Sequence, residues 1–139
     1  MTGIGSPIEG IPAVEGATAP RDNLPVRFWL HAEGAAAFVA GTLLYFQGGG
    51  DGLLFLPLLL VPDVGLLGYL RGSRVGALTY NLVHNWAIGL AVLGAGLTLA
   101  SNPLLLAGAI LIAHVGMDRA VGYGLKYAGG AKITHLQRV

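Results

Sequence analysis

LLFLPLLLVPDVGLLGYL, Leu53–Leu70, holds a single charged residue, Asp63, in eighteen positions. A run this long and this apolar approaches the roughly 20 residues that a bilayer core requires of a spanning helix. Three further runs flank it, at Phe28–Phe46, Val75–Ala100 and Pro103–Tyr127. They are separated only by Gly48-Gly49-Gly50-Asp51-Gly52, Gly72-Ser73 and Ser101-Asn102. Turns that short force neighbouring helices to be antiparallel. No segment alternates as a membrane strand does, and lipid offers no partner to an open sheet edge. The expected fold is therefore all-α: a polytopic membrane protein built as an antiparallel four-transmembrane-helix bundle over residues 28–128. A flexible cytoplasmic N-terminal tail, 1–27, precedes it and a cytoplasmic C-terminal tail, 129–139, follows.

Composition supports the same reading. Apolar residues make up 54% of the chain and charged residues 11%, against roughly 25% charged in an ordinary soluble domain. A net charge of +1 offers no concentrated basic face, so nucleic acid is not an expected partner. The absence of cysteine excludes disulfides and thiolate ligands. Residues 1–23 lack the apolar core of a signal peptide. Arg21, Arg27, Arg71, Arg74, Lys126, Lys132 and Arg138 all fall on the side that holds both termini and the middle turn, and the other side has no Lys or Arg. By the positive-inside rule the protein is expected in the cell's inner (plasma) membrane, multi-pass, with both termini cytoplasmic. Pro57 and Pro62 should kink the second run and free carbonyls beside Asp63.

The informative residues are the polar ones inside the runs: Glu33, Asp63, His84, His114, Asp118 and Arg119, with Tyr69, Tyr80, Asn81, Asn85 and Tyr123. A charged side chain at mid-helix costs about 2.5–3.5 kcal/mol on the insertion scale, so such groups need partners or a purpose. Antiparallel threading brings Glu33, Asp63, His84, His114 and Asp118 to similar depths in the cytoplasmic half. His114 and Asp118 share one helix face, as do Tyr80, Asn81 and His84. Singly, each has a bland explanation: an interhelical hydrogen bond for Asn81 or His84, an ion pair for Asp118 and Arg119, interfacial anchoring for the tyrosines. Together they suggest a polar pocket. The triple glycine before Asp51 lacks the Lys-Ser/Thr of a phosphate loop. His114/Asp118 have the spacing of helical metal ligands, which His84 and Asp63 could complete, but there is no His-Glu-x-x-His motif; no metal and no cofactor are assigned. Gly116/Ala120/Gly124 forms a small-residue stripe suited to a homodimer contact.

From Glu33 onward the chain resembles a family of short bacterial integral membrane proteins catalogued only as a domain of unknown function. The resemblance rests on Glu33-Gly34, Pro62-Asp63 with Gly68-Tyr69, and Gly72-x-Arg74-Val75-Gly76-Ala77 leading to Tyr80-Asn81-x-x-His84. It continues through His114-x-Gly116-x-Asp118-Arg119-x-x-Gly122-Tyr123-Gly124-Leu125-Lys126-Tyr127 and Thr134-His135-Leu136. It implies a four-helix membrane fold and no activity. From the residues themselves we expect a membrane-embedded enzyme acting on a lipophilic small molecule from a cytoplasm-facing pocket. Asp63, Asp118 or Glu33 would be the acid, and His84 or His114 the base, for cyclisation, isomerisation or epoxide opening of a terpenoid or polyketide. Tyr80, Asn81, Arg119, Tyr69 and Tyr123 would hold the substrate. Membrane lipid is the other expected partner. The alternatives are a proton-coupled carrier or ion path, and a non-catalytic membrane subunit.

Overall fold

A computed structural model describes residues 24–127; the expectations for residues 1–23 of the N-terminal tail and for the whole C-terminal tail lie outside the described residues. Those residues form five α-helices and one 3₁₀ helix, with no strand among them. Helix α1 spans Leu24–Gln47 and α2 spans Gly52–Leu60; a 3₁₀ helix continues α2 over Val61–Arg71. Helix α3 spans Ser73–Val83, α4 Trp86–Thr98 and α5 Asn102–Ala120. The continuous helical stretch Gly52–Arg71 and α5 are each long and apolar enough to cross a membrane, and α4 is a shorter apolar helix.

Helix α5 is the axis of the fold, and glycines set its neighbours' distances. A Cβ at Gly41 would lie 2.7 Å from the Ala109 carbonyl oxygen, and one at Gly34 would meet the Arg119–Ala120 backbone. These pairs run in opposite order, so α1 and α5 are antiparallel and in backbone contact along much of their length. On α5's other side, Gly108 admits Leu93 of α4, and Gly96 admits Leu104 and Leu105. Gly116 is buried against Gly34, Ala37 and Phe38 of α1. The stripe expected to face a second copy thus has, at Gly116 and Ala120, a partner in the same chain.

Three of the expected runs depart from uniform α-helix. The second was expected to be one kinked helix, but its latter half is 3₁₀ for eleven residues, well beyond the three or four that are common. Pro62 removes an α-type donor, and in a 3₁₀ helix positions three apart eclipse. Pro62, Gly65 and Gly68 are so spaced, and the latter two face Thr79 of α3; Thr79 Oγ1 donates to the Gly65 carbonyl at 2.7 Å. The third run, expected to be continuous over Val75–Ala100, breaks between α3 and α4 at His84-Asn85. Asn85 holds the break: its Oδ1 caps Ile88 N at 3.1 Å, and its Nδ2 donates to the Asn81 and Leu82 carbonyls at 2.7 and 2.8 Å. The fourth run was expected to reach Tyr127, but α5 stops at Ala120. Gly122 adopts φ +94°, Tyr123 N donates to the Asp118 carbonyl at 2.7 Å, and Gly122 N to that of Arg119 at 3.1 Å. This is a Schellman termination, for which glycine is suited.

Candidate functional site

The local irregularities all converge on one group of side chains. In a 3₁₀ helix the Leu59 carbonyl would pair with the N–H of residue 62, and Pro62 has none. That carbonyl accepts instead from His114 Nδ1, across 2.6 Å. The end of α3 acts similarly: the Tyr80 carbonyl accepts from His84 N at 3.0 Å and from His84 Nδ1 at 2.8 Å. A carbonyl can only accept, so both imidazoles carry their hydrogen on Nδ1. In the neutral rings each Nε2 is then a bare lone pair. These two nitrogens face each other at 2.9 Å.

Two carboxylates flank the pair. Asp63 Oδ1 lies 3.3 Å from His84 Nε2 and 3.7 Å from His114 Nε2. Asp118 Oδ2 lies 3.6 and 3.9 Å from the same atoms. Tyr80 stacks on His84, centroids 3.6 Å apart, and its hydroxyl donates to Asp118 Oδ2 at 2.9 Å. Both histidines are buried, whereas the Asp63 side chain is 40% exposed and forms the accessible edge of the cluster. The crevice beside Tyr80, His84, Asp118, Arg119 and Tyr123 is too narrow for a water-sized sphere. A groove of about 580 Å³ lies between α2 and α5, lined by Leu54, Leu58, Val61, Pro62, Ile110 and Leu111 among others. Its lining ends at the residue before Asp63 and one turn before His114.

The structure thus brings together Asp63, His84, His114, Asp118 and Tyr80. Glu33 does not join them: it is exposed on α1, on the side of Arg119. Arg119 sits over the Trp86 ring at 5.0 Å. Asn81 clamps the segment after α5, its Nδ2 donating to the Lys126 carbonyl and its Oδ1 accepting from Lys126 N, both at 2.8 Å. Tyr69 packs under Gly76 with its hydroxyl buried and unpaired among the described residues. Tyr123 is 54% exposed at the rim.

Two residues matter here that sequence reasoning passed over. Asn81's clamp places Lys126 Nζ 3.9 Å above the Tyr80 ring, so Tyr80 lies between His84 and an ammonium. Lys126 was legible only as a basic residue near a membrane edge, although it belongs to the motif carrying the family resemblance. His31 Nδ1 bonds the Ala120 carbonyl at 2.8 Å and secures the end of α5. No sequence signal distinguished it.

Neither the curated proteins nor the solved structures contain a match to this chain. A family model described as Domain of unknown function (DUF4260) matches residues 27–139, and the chain belongs to that family.

Proposed function

We propose that this protein spans the membrane four times and uses the Asp63–His84–His114–Asp118 centre for acid–base catalysis on a lipophilic small molecule. The observation that carries the reading is the meeting of two imidazole Nε2 atoms at 2.9 Å, between carboxylates from different helices, beside a large apolar groove. Such a cluster is costly in an apolar setting, and folding alone does not favour assembling it. The groove would take the apolar body of the substrate, and Asp63, the exposed carboxylate, its reacting end.

The membrane part of the reading is supported by where the apolar surface lies. Gly52–Arg71, the most apolar stretch, is only 11% buried inside the chain, and Leu53 and Leu70 are 88% and 85% exposed. A core helix of a water-soluble protein would be covered. Helix α1, about 36 Å long at 1.5 Å per residue, and α3 with α4 would supply the other two spans. Since the chain has no cysteine, single replacements report topology directly. With both termini cytoplasmic, Asn102→Cys should react with an impermeant maleimide in intact cells, and Ser73→Cys only after permeabilisation. The reverse pattern would invert the orientation, and labelling of both would remove the spans.

The catalytic part is tested with Asp63→Asn and Asp118→Asn, which keep shape and lose the carboxylate. Lipid extracts of membranes containing the native protein should show a lipophilic metabolite consumed or formed that both variants leave unchanged at equal membrane abundance. Identical extracts from all three would sink the enzyme reading. A carrier is the second reading, favoured by the break at His84-Asn85, because discontinuous helices line ion sites in transporters. Proton flux through proteoliposomes, absent from the Asp63→Asn protein, would favour it over catalysis.

A further inference from the structure

We propose that His84 Nε2, His114 Nε2, Asp63 Oδ1 and Asp118 Oδ2 are the four ligands of a divalent transition-metal ion, zinc by geometry. The inference rests on the cluster described above and not on its catalytic reading. It departs from the sequence, which assigned no metal, and three observations carry it.

The first is size and shape. Four donors held at about 2.0–2.1 Å around a tetrahedral ion stand about 3.3–3.4 Å from one another. Five of the six separations here are 2.9, 3.3, 3.6, 3.7 and 3.9 Å. The histidine–histidine edge must open by about 0.4 Å and the longer ones must close by up to about 0.6 Å to reach the ideal figure. Shifts of that size lie within side-chain rotation. Among the described residues, only the Asp63, His84 and His114 donors form a group in which all lie within 4.8 Å of one another. Asp118 Oδ2 is near both histidines but outside that trio, and its side chain must swing in to complete the four.

The second is the direction of the lone pairs. Each Nδ1–H is committed to a backbone carbonyl, at Leu59 for His114 and at Tyr80 for His84. That fixes the tautomer with Nε2 as donor to an electrophile, which is the outer-sphere arrangement of metal-bound histidines. Tyr80 does the same service for Asp118 by donating to its Oδ2 at 2.9 Å. Two lone pairs aimed at each other across 2.9 Å repel unless an electrophile lies between them. The alternative electrophile is a single shared proton.

The third is charge. Two carboxylates and two neutral imidazoles sum to −2, of which the Lys126 ammonium 3.9 Å above the Tyr80 ring offsets one. The centre thus keeps a net negative charge that a bound cation or a shared proton would offset, and the titration below separates the two. The carbonyl end of α3, which stops at His84, adds negative potential at the same place. Two imidazoles with two carboxylates suit zinc, iron(II), cobalt(II) or manganese(II) better than magnesium or calcium, which prefer all-oxygen sites.

The test uses the full chain purified in detergent through a tag without histidine, with elemental analysis and cobalt(II) titration. The expected result is about one equivalent of metal per chain. After chelation and cobalt(II) addition, an intense visible d–d spectrum of four-coordinate cobalt should appear, displaced by one equivalent of zinc. The Asp63→Asn/Asp118→Asn protein, with native helicity by circular dichroism, should lose at least tenfold in metal affinity and lose the spectrum. Tyr80→Phe, which keeps all four ligands, should retain the spectrum with a shifted band. A metal-free native protein that gives no cobalt spectrum, or metal retained unchanged in the double variant, would overturn the proposal. The first of these outcomes leaves a proton-sharing histidine pair and does not touch the comparison of lipid extracts. Conversely, a bound metal with unchanged extracts removes the enzyme and keeps the site.

Discussion

Gly116→Val should lower the unfolding temperature of the detergent-solubilised protein by roughly 10 °C or more, the largest effect expected of any single change on the α1–α5 seam. A Cβ at this position would press on the Phe38 amide nitrogen and lie 2.8 Å from the Gly34 carbonyl oxygen and 2.9 Å from the Ala37 carbonyl carbon. All three are backbone atoms and cannot swing aside as a flexible side chain would. The helices must separate, and separation removes close packing above and below the lesion. Overpacking of this kind costs about 1–3 kcal/mol where side chains can yield, and more where they cannot. Gly94→Ala supplies the contrast. Nothing lies within 4 Å of a Cβ there, and exchanging glycine for alanine inside a helix gains about 1 kcal/mol. An unchanged melting temperature for Gly116→Val would mean that α1 does not lie against α5 at Gly116.

Replacing His114 by alanine should cost about 3–5 kcal/mol, for reasons that can be separated experimentally. The ring is fully buried, so its removal leaves a hole. The Leu59 carbonyl loses its donor at 2.6 Å, and Pro62 cannot replace it. An unsatisfied buried acceptor accounts for about 1–3 kcal/mol of the total. A second change isolates that share: Pro62→Ala restores an N–H three residues beyond Leu59. The double variant His114→Ala/Pro62→Ala should therefore be at least 1 kcal/mol more stable than the sum of the two single effects. Strict additivity would show that the carbonyl is not what His114 serves.

How much of this could be read in the sequence follows from what hydropathy measures. It reports depth along a helix well, because each apolar run has a countable length. Asp63, His84, His114 and Asp118 were found by depth, with the shared faces of His114 with Asp118 and of His84 with Tyr80 and Asn81 as azimuthal clues, and they do meet. Glu33 lay at a comparable depth and points elsewhere, because depth carries no information about which way a side chain turns. The break at His84-Asn85 was hidden for a related reason. The apolar pattern continues through Trp86-Ala87-Ile88, and a capping asparagine looks the same in sequence as one that bonds a neighbouring helix. The 3₁₀ helix was foreshadowed by Pro62 but not its length, which depends on Gly65 and Gly68 finding Thr79 on another element. Asn81, expected at the substrate or in an interhelical hydrogen bond, bonds a backbone forty-five residues away, and residue types alone do not announce such pairings. The ending of α5 was the most legible feature missed: Gly122 and Gly124 follow Asp118-Arg119, and a glycine just past a basic last turn is a stop signal.

The 3₁₀ helix also makes the second helical stretch a ruler of unusual scale. Eleven residues at 2.0 Å each reach about 22 Å, whereas the same residues wound as an α-helix would reach about 16.5 Å. Rewinding Val61–Arg71 would therefore draw Arg71 and the Gly72-Ser73 turn about 4 Å towards Asp63, eight residues away at about 0.5 Å each, and twist the Gly65/Gly68 edge off α3. The tighter winding sets how far the arginine-bearing turn stands from the Asp63 carboxylate, and deleting or inserting one residue between them would spoil both that separation and the facing of the two glycines.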